Sequence, residues 1–132
     1  MKSFQLEIVT PDGQFFKGPA EAVSVRTANG EVGILADHTD YLNALGMGEA
    51  RITVGGEVHR AACIGGMISV VKGKVTIVAT TFEWSDDIDV ARAKEAERRA
   101  REALATQRLD RVEQQLAEAK LKRALVRQSV AR

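Results

Sequence analysis

The stretch DDIDVARAKEA, Asp86–Ala96, marks the point where this chain changes character. Acidic residues come first, and alanines then recur at helical spacing through Ala93, Ala96, Ala100 and Ala103. That is the pattern of a helix start. All eleven glycines and both prolines lie in residues 1–73, and none follows. A chain that spends its turn residues early and runs without breakers afterwards has two architectures in series. Arg92 raises a question within this stretch. A helix N-terminus carries partial positive charge, so an arginine in the first turn is mildly unfavourable unless something anionic offsets it.

Upstream, the signals are those of strands. FQLEI sets Phe4, Leu6 and Ile8 against Gln5 and Glu7, the period of two that a half-buried strand requires. TPDG, Thr10–Gly13, is a turn in which proline presets φ and glycine supplies a positive one. Gly55-Gly56 joins RITV to EVHRAAC as a two-residue hairpin, and Lys72-Gly73 joins MISVV to KVTIVATT. Several short strands at this spacing predict a sandwich or barrel.

Downstream, the spacing predicts two helices. Ala93, Ala96, Ala100, Ala103 and Leu104 form one apolar stripe; Leu109, Val112, Leu116 and Ala119 form another. The join near Thr106–Asp110 has neither glycine nor proline, so the break is weak. A buried methylene contributes about 0.8 kcal/mol, so an alanine stripe holds its helix weakly and the hairpin reads as built to detach. The expected fold class is α+β: an N-terminal β-sandwich in residues 1–87, then a C-terminal antiparallel two-helix hairpin in residues 88–132.

The totals exclude several classes. The chain has 132 residues with 45% hydrophobic and 28% charged content, the balance of a soluble globular domain. No run of eighteen apolar residues is present, and the start, MKSFQLEIVTPDG, is expected to be neither a signal nor a transit peptide. Cys63 is the only cysteine, so no internal disulfide can form; it reads as a small buried residue, and the cytosol is the expected compartment. No phosphate loop, H-E-x-x-H or G-x-S-x-G is present, which leaves no catalytic candidate. His38 and His59 lack metal-ligand spacing, so no metal site is expected.

The net charge of +1 hides an asymmetry. Residues 1–87 carry seven Lys/Arg against eleven Asp/Glu, whereas residues 88–132 carry twelve against seven. From Ala119 to Arg132 there are five bases and no acid, a segment that seeks an anionic partner. Arg92 and Arg99 share one face of the first helix, and Arg123 and Arg127 one face of the second. An antiparallel hairpin turning near residues 107–108 sets position 92 opposite about 123. Arginines then converge at its open end, beside Asp89 and the strand end carrying Glu83. Converging cations repel unless an anion sits between them. Pairs such as Glu97–Arg101 give the plain alternative, a solvated basic face. Asp89 is in any case placed to cap the first helix.

TPDG, ANGEVGILADH and DIDVARAKEAERRA together resemble the epsilon subunit of bacterial F-type ATP synthases, over the whole chain. The resemblance implies a non-catalytic central-stalk subunit. Its sandwich would bind the gamma subunit and the ring of c subunits and help couple proton flow to rotation. Its helices would inhibit ATP hydrolysis by extending towards the alpha and beta subunits. It also implies a peripheral place on the cytoplasmic face of the bacterial membrane, touching the membrane only through the complex. The family's nucleotide signature, I-D-x-x-R-A, is met by Ile88, Asp89, Arg92 and Ala93. With Glu83, Arg99, Arg123 and Arg127 at corresponding places, it implies ATP as a regulatory ligand, with Mg²⁺ as a candidate companion. ATP would favour the folded, non-inhibitory hairpin, and its phosphates would answer the question posed by Arg92. Glu31, His38 and their loop are the candidates for ring contact. One departure stands out. Relatives usually carry Pro-Gly-His-x-Pro where this chain has Ala36-Asp37-His38-Thr39-Asp40.

Two other classes compete. A nucleic-acid-binding module would use the basic tail, but total charge is near zero and aromatics for stacking are only 5%. A small nucleotide-hydrolysing enzyme lacks a phosphate loop and a base.

Overall fold

The computed structural model describes residues 2–106 and 108–131. Two compact units divide between Trp84 and Ser85. The first holds eight strands: β1 (Phe4–Thr10), β2 (Gly13–Ala20), β3 (Ala22–Thr27), β4 (Gly30–Leu35), β5 (Tyr41–Ala44), β6 (Met47–Val54), β7 (Glu57–Val71) and β8 (Lys74–Trp84). They form one sheet in the order β2-β1-β8-β7-β6-β3-β4, with β5 paired to β7. All these pairings are antiparallel except β1 with β8, where Leu6–Val9 run parallel to Val75–Val78.

The predicted hairpins are present. Gly55 and Gly56 take φ of 58° and 82°, and Lys72 and Gly73 take 49° and 79°. Two successive positive φ values are what a tight turn between right-twisted strands demands. Lys72, which carries a side chain, donates its amide to Asp40 Oδ1 at 2.9 Å. The alternation in β1 is also as read: Phe4, Leu6 and Ile8 are buried.

The sandwich turns on β7. One edge of this strand pairs with β8 from Ala61 to Val71. The other edge pairs first with β6, through Ile64, then with β5, from Met67 to Val70. Gly65 and Gly66 stand at the change, with φ of 70° and 115°. Their backbone groups turn to the Leu45–Gly46 connection: Leu45 donates to the Gly66 carbonyl at 2.9 Å, and Gly65 donates to that of Gly46 at 3.2 Å. A glycine bend of this kind lets one strand serve two layers. Between the layers lies a core of Leu6, Ile8, Ile34, Ile52, Ile68 and Ile77, all fully buried. At one end Trp84 is ringed by Phe15, Phe16 and Phe82, with centroids 5.5–6.4 Å away.

The second unit begins with a 3₁₀ turn, Ser85–Asp87, followed by α1 (Val90–Thr106) and α2 (Arg111–Val130). Asp89 caps α1 by accepting the Arg92 amide on Oδ1 at 3.0 Å. The expected turn at 107–108 includes residue 107, which lies outside the described residues, as does Arg132 in the basic tail. The break between helices is firmer than the lack of glycine and proline implied. Asp110 accepts the Glu113 amide at 2.8 Å, and Glu113 reaches back to the Asp110 amide at 3.3 Å, a complete capping box.

The stripe expected on the second helix is corrected. Val112 and Leu116 are 63% and 55% exposed, while Ala117 and Ala124 are buried. On α1 the buried alanines are Ala93 and Ala100, with the same spacing of seven. Alanines two turns apart on both helices form a narrow seam. Leucines in that seam would hold the helices further apart.

Candidate functional site

The hairpin interface sets the geometry of the basic residues. Gln128 Nε2 donates to Glu97 Oε1 across the helices at 2.8 Å, and Glu97 Oε2 accepts Arg101 Nε at 2.7 Å. The first of these fixes the register. An opposition of residue 92 to about 123 would face Glu97 towards about 118 rather than Gln128. The two helices are displaced from that expectation, and Arg99, not Arg92, comes level with Arg123 and Arg127.

A groove of about 480 Å³ runs between α1 and α2. Arg99 enters it from α1, and Lys120, Arg123 and Arg127 from α2. Its floor is apolar, with Ala100, Ala103, Leu109 and Leu116 towards the turn. Glu113 is the one acidic residue in the lining, and its Oε1 is engaged in the capping box. The structure thus brings together three of the sequence-predicted residues, Arg99, Arg123 and Arg127. Ile88, Asp89, Arg92 and Ala93 precede the groove, at the start of α1. Ile88 and Ala93 are buried, and Arg92 is exposed. Glu83 is the penultimate residue of β8, in the first unit. Sequence reading did not single out Lys120, Leu109 or Leu116 as groove residues. Lys120 falls three before Arg123 and seven before Arg127, a spacing on one face that was there to be found.

Further along α1, Arg98, Arg99 and Arg101 are paired with carboxylates of the same helix. Arg98 meets Glu95 and Glu102 at 2.7 Å, and Arg99 meets Glu95 at 3.1 Å. Arg98, with Arg99 adding to it, holds the Glu95 carboxyl down at about 2. The Gln128 hydrogen bond, then the Arg101 guanidinium, hold Glu97 below the usual carboxylate range. Asp110 is lowered by the Glu113 amide. Glu95 and Glu97 bind protons less readily in the folded hairpin than in the open chain, where a glutamate titrates near 4.5. Their stabilisation is complete above that value and fades as the pH falls towards about 2. The far-ultraviolet helical signal of the chain is therefore expected to hold from neutrality to about pH 4.5 and to decline below it. In Glu97→Gln the decline should be shallower, because one linked proton is gone. A helical signal flat to pH 2 in the parent would contradict this account.

Among the described residues no cluster of His, Cys, Asp and Glu could hold a metal ion, and no helix is long and apolar enough to cross a membrane. Burial pushes the Cys63 thiol up to about 12, leaving it an inert core group.

The altered loop after β4 has its own supports. Asp37 takes a positive φ of 64° and pairs with Lys2. His38 donates from Nδ1 to the Thr39 carbonyl at 2.7 Å and meets Tyr41 edge-on at 5.8 Å. Leu35 and Leu42 on either side are 57% and 68% exposed. Glu31 lies on β4 and accepts from Ser24 Oγ at 3.4 Å.

A sandwich followed by a two-helix hairpin, with a basic groove between its helices, defines a two-part chain. Residues 3–85 match the β-sandwich domain of the ATP synthase delta/epsilon chain, and residues 86–132 match its long α-helix domain. The chain belongs to that family, as a non-catalytic, epsilon-type subunit of the F-type ATP synthase stalk. The ATP synthase epsilon chain of Bacillus pumilus is 44% identical over 131 residues, covering 99% of this chain and 98% of the relative. That of Shouchella clausii is 38% identical over 132 residues, covering 100% and 97%. In fold, the chain is similar to one in the Euglena gracilis mitochondrial ATP synthase OSCP/F1/c-ring assembly. The TM-score is 0.85 at 22% identity, with 98% of this chain and 82% of that one covered.

Proposed function

We propose that this chain helps couple proton flow to rotation and restrains ATP hydrolysis through its C-terminal helices. The sandwich binds the gamma subunit and the c-ring, with the Glu31–His38 region as the ring contact. When extended, the hairpin reaches the alpha and beta subunits. The protein is peripheral at the cytoplasmic face of the bacterial membrane and touches the membrane only through the complex. ATP, with Mg²⁺ as a candidate companion, favours the folded hairpin.

The observation that carries the ATP reading is the shared groove of Arg99, Arg123 and Arg127, in a segment where bases outnumber acids. Phosphates suit guanidinium groups, which donate in a fixed fork. Arg92 extends the set at the start of α1. Glu83, Ile88, Asp89 and Ala93 would surround the adenosine. A ligand at one hundred times its dissociation constant adds about 2.7 kcal/mol. An interface of buried alanines supplies a similar amount, so ATP level can decide the state of the hairpin.

Calorimetric titration of the whole chain with ATP is expected to show saturable binding at or below millimolar concentration. Arg92→Ala, and the double change Arg123→Ala with Arg127→Ala, should each weaken it at least about tenfold, the loss of one charge-assisted contact or more. Equal binding by parent and variants would reduce the arginines to a solvated basic face.

A further inference from the structure

We propose that the groove between α1 and α2 also binds a single-chain anionic amphiphile, head at the open end and apolar chain towards the turn. The groove is graded along its length. Lys120, Arg123 and Arg127 follow one another on α2, and Arg99 faces them from α1. No acid occurs from Ala119 onward. Neither Lys120 nor Arg123 has a carboxylate partner among the described residues, whereas Arg99 shares Glu95. Towards the turn the lining becomes Ala103, Leu109, Leu116 and Ala117, with Glu113 the one carboxylate, held in the capping box. Leu116 is 55% exposed, so a leucine side chain stands open beside the cationic stretch.

This gradient matches a particular chemistry. A free phosphate would satisfy the cations and leave the leucines wet. A neutral alkyl chain would cover the leucines and leave Lys120 and Arg123 uncompensated. A molecule with one anionic end and one apolar chain does both. The rise of 1.5 Å per residue sets Leu116 roughly 16 Å from Arg127, enough for a medium-length chain laid along the helix. The volume of about 480 Å³ falls within the range of small-ligand sites, roughly 300–1,000 Å³.

The inference does not rest on ATP binding. It adds a ligand class that uses the apolar half of the groove, and the two ligands compete for Arg123 and Arg127.

The test is calorimetry on the whole chain with dodecyl phosphate below its micelle concentration, beside methyl phosphate and neutral dodecyl maltoside. Dodecyl phosphate is expected to bind once per chain, at least about tenfold tighter than methyl phosphate, with no saturable binding of the maltoside. Leu116→Gln should weaken dodecyl phosphate about tenfold and leave methyl phosphate unchanged. Lys120→Ala with Arg123→Ala should weaken both phosphates. Dodecyl phosphate binding no tighter than methyl phosphate would overturn the proposal, and that comparison needs no variant. So would unchanged binding by Leu116→Gln with its helical signal intact, several molecules taken up with loss of that signal, or attachment only to vesicles of anionic two-chain phospholipid. If ATP fails to bind while dodecyl phosphate binds, the nucleotide reading falls alone; the reverse result removes only the amphiphile.

Discussion

Gly66→Ala is expected to destabilise the sandwich by about 3–5 kcal/mol, from backbone strain together with overpacking. A Cβ on Gly66 would lie 1.9 Å from the Val78 carbonyl oxygen and 2.9 Å from the Ala79 Cα, and both are backbone atoms of a paired strand. The φ of +115° is one that side-chain-bearing residues rarely adopt. Neither problem can be relieved by a rotamer change. To make room, β7 and β8 must part, at the point where β7 passes from β6 to β5. Trp84 fluorescence during thermal unfolding is the readout, since this residue sits in the aromatic cluster of the sandwich. The midpoint should fall roughly 12–40 °C for a domain of this size. Gly33→Ala is the control. It makes the same chemical change on β4, where an added Cβ meets nothing within 4 Å, and it should move the midpoint by little. Similar shifts in both would mean that the bend does not constrain the sheet.

Ile77→Ala should cost about 2–5 kcal/mol, the range for emptying an apolar site that can only partly collapse. Ile77 lies directly between Ile8 on β1 and Ile68 on β7, and all three are fully buried. Truncation leaves a void in the middle of that row, bounded by two neighbours held by their own strands. Val78, the next residue, faces outward and is 51% exposed. Val78→Ala should therefore cost below about 1 kcal/mol. Urea unfolding of the two variants, followed again by Trp84, separates the cases. An Ile77→Ala midpoint close to that of Val78→Ala would show that this row is not the core.

Local structure was legible in the sequence; long-range pairing was not. The turns at Gly55-Gly56 and Lys72-Gly73 were readable because a two-residue hairpin needs positive φ, and glycine meets that need most cheaply. The alternation of Phe4, Leu6 and Ile8 was readable because one face is wet. By contrast, the pairing of β1 with β8 and the sharing of β7 by β5 and β6 depend on which distant edges remain open. The Gly65-Gly66 bend sits within an apolar stretch where glycine has several uses.

In the hairpin, the Asp89 cap was visible, although Asp86 and Asp87 form a 3₁₀ turn ahead of α1 and not its first turn. The Asp110–Glu113 box was also written in the sequence, yet attention to absent glycine and proline hid it. The helix register was not readable, because each residue in a turn slides every residue beyond it. That slide separates Arg92 from the groove that holds Arg99, Arg123 and Arg127. The alanine seam could have been weighed against the leucine stripe, since two alanine pairs with equal spacing mark the closest approach.

The parallel pairing of β1 with β8 bears on how the chain folds as it is made. Leu6 finds its partner in Val75 and Ile8 in Ile77, so the first strand has only its β2 neighbour until the last strand exists. Contacts so distant along the chain raise the entropy of closure and slow the final step. During synthesis β1 and β2 must wait as a lone hairpin, marginal in water, until β8 leaves the ribosome and enters between β1 and β7. The sandwich therefore closes late. In a chain released before β8, β3 to β7 can pair but β1 keeps an open edge, and such a fragment is a substrate for chaperones or proteases rather than a shorter working domain.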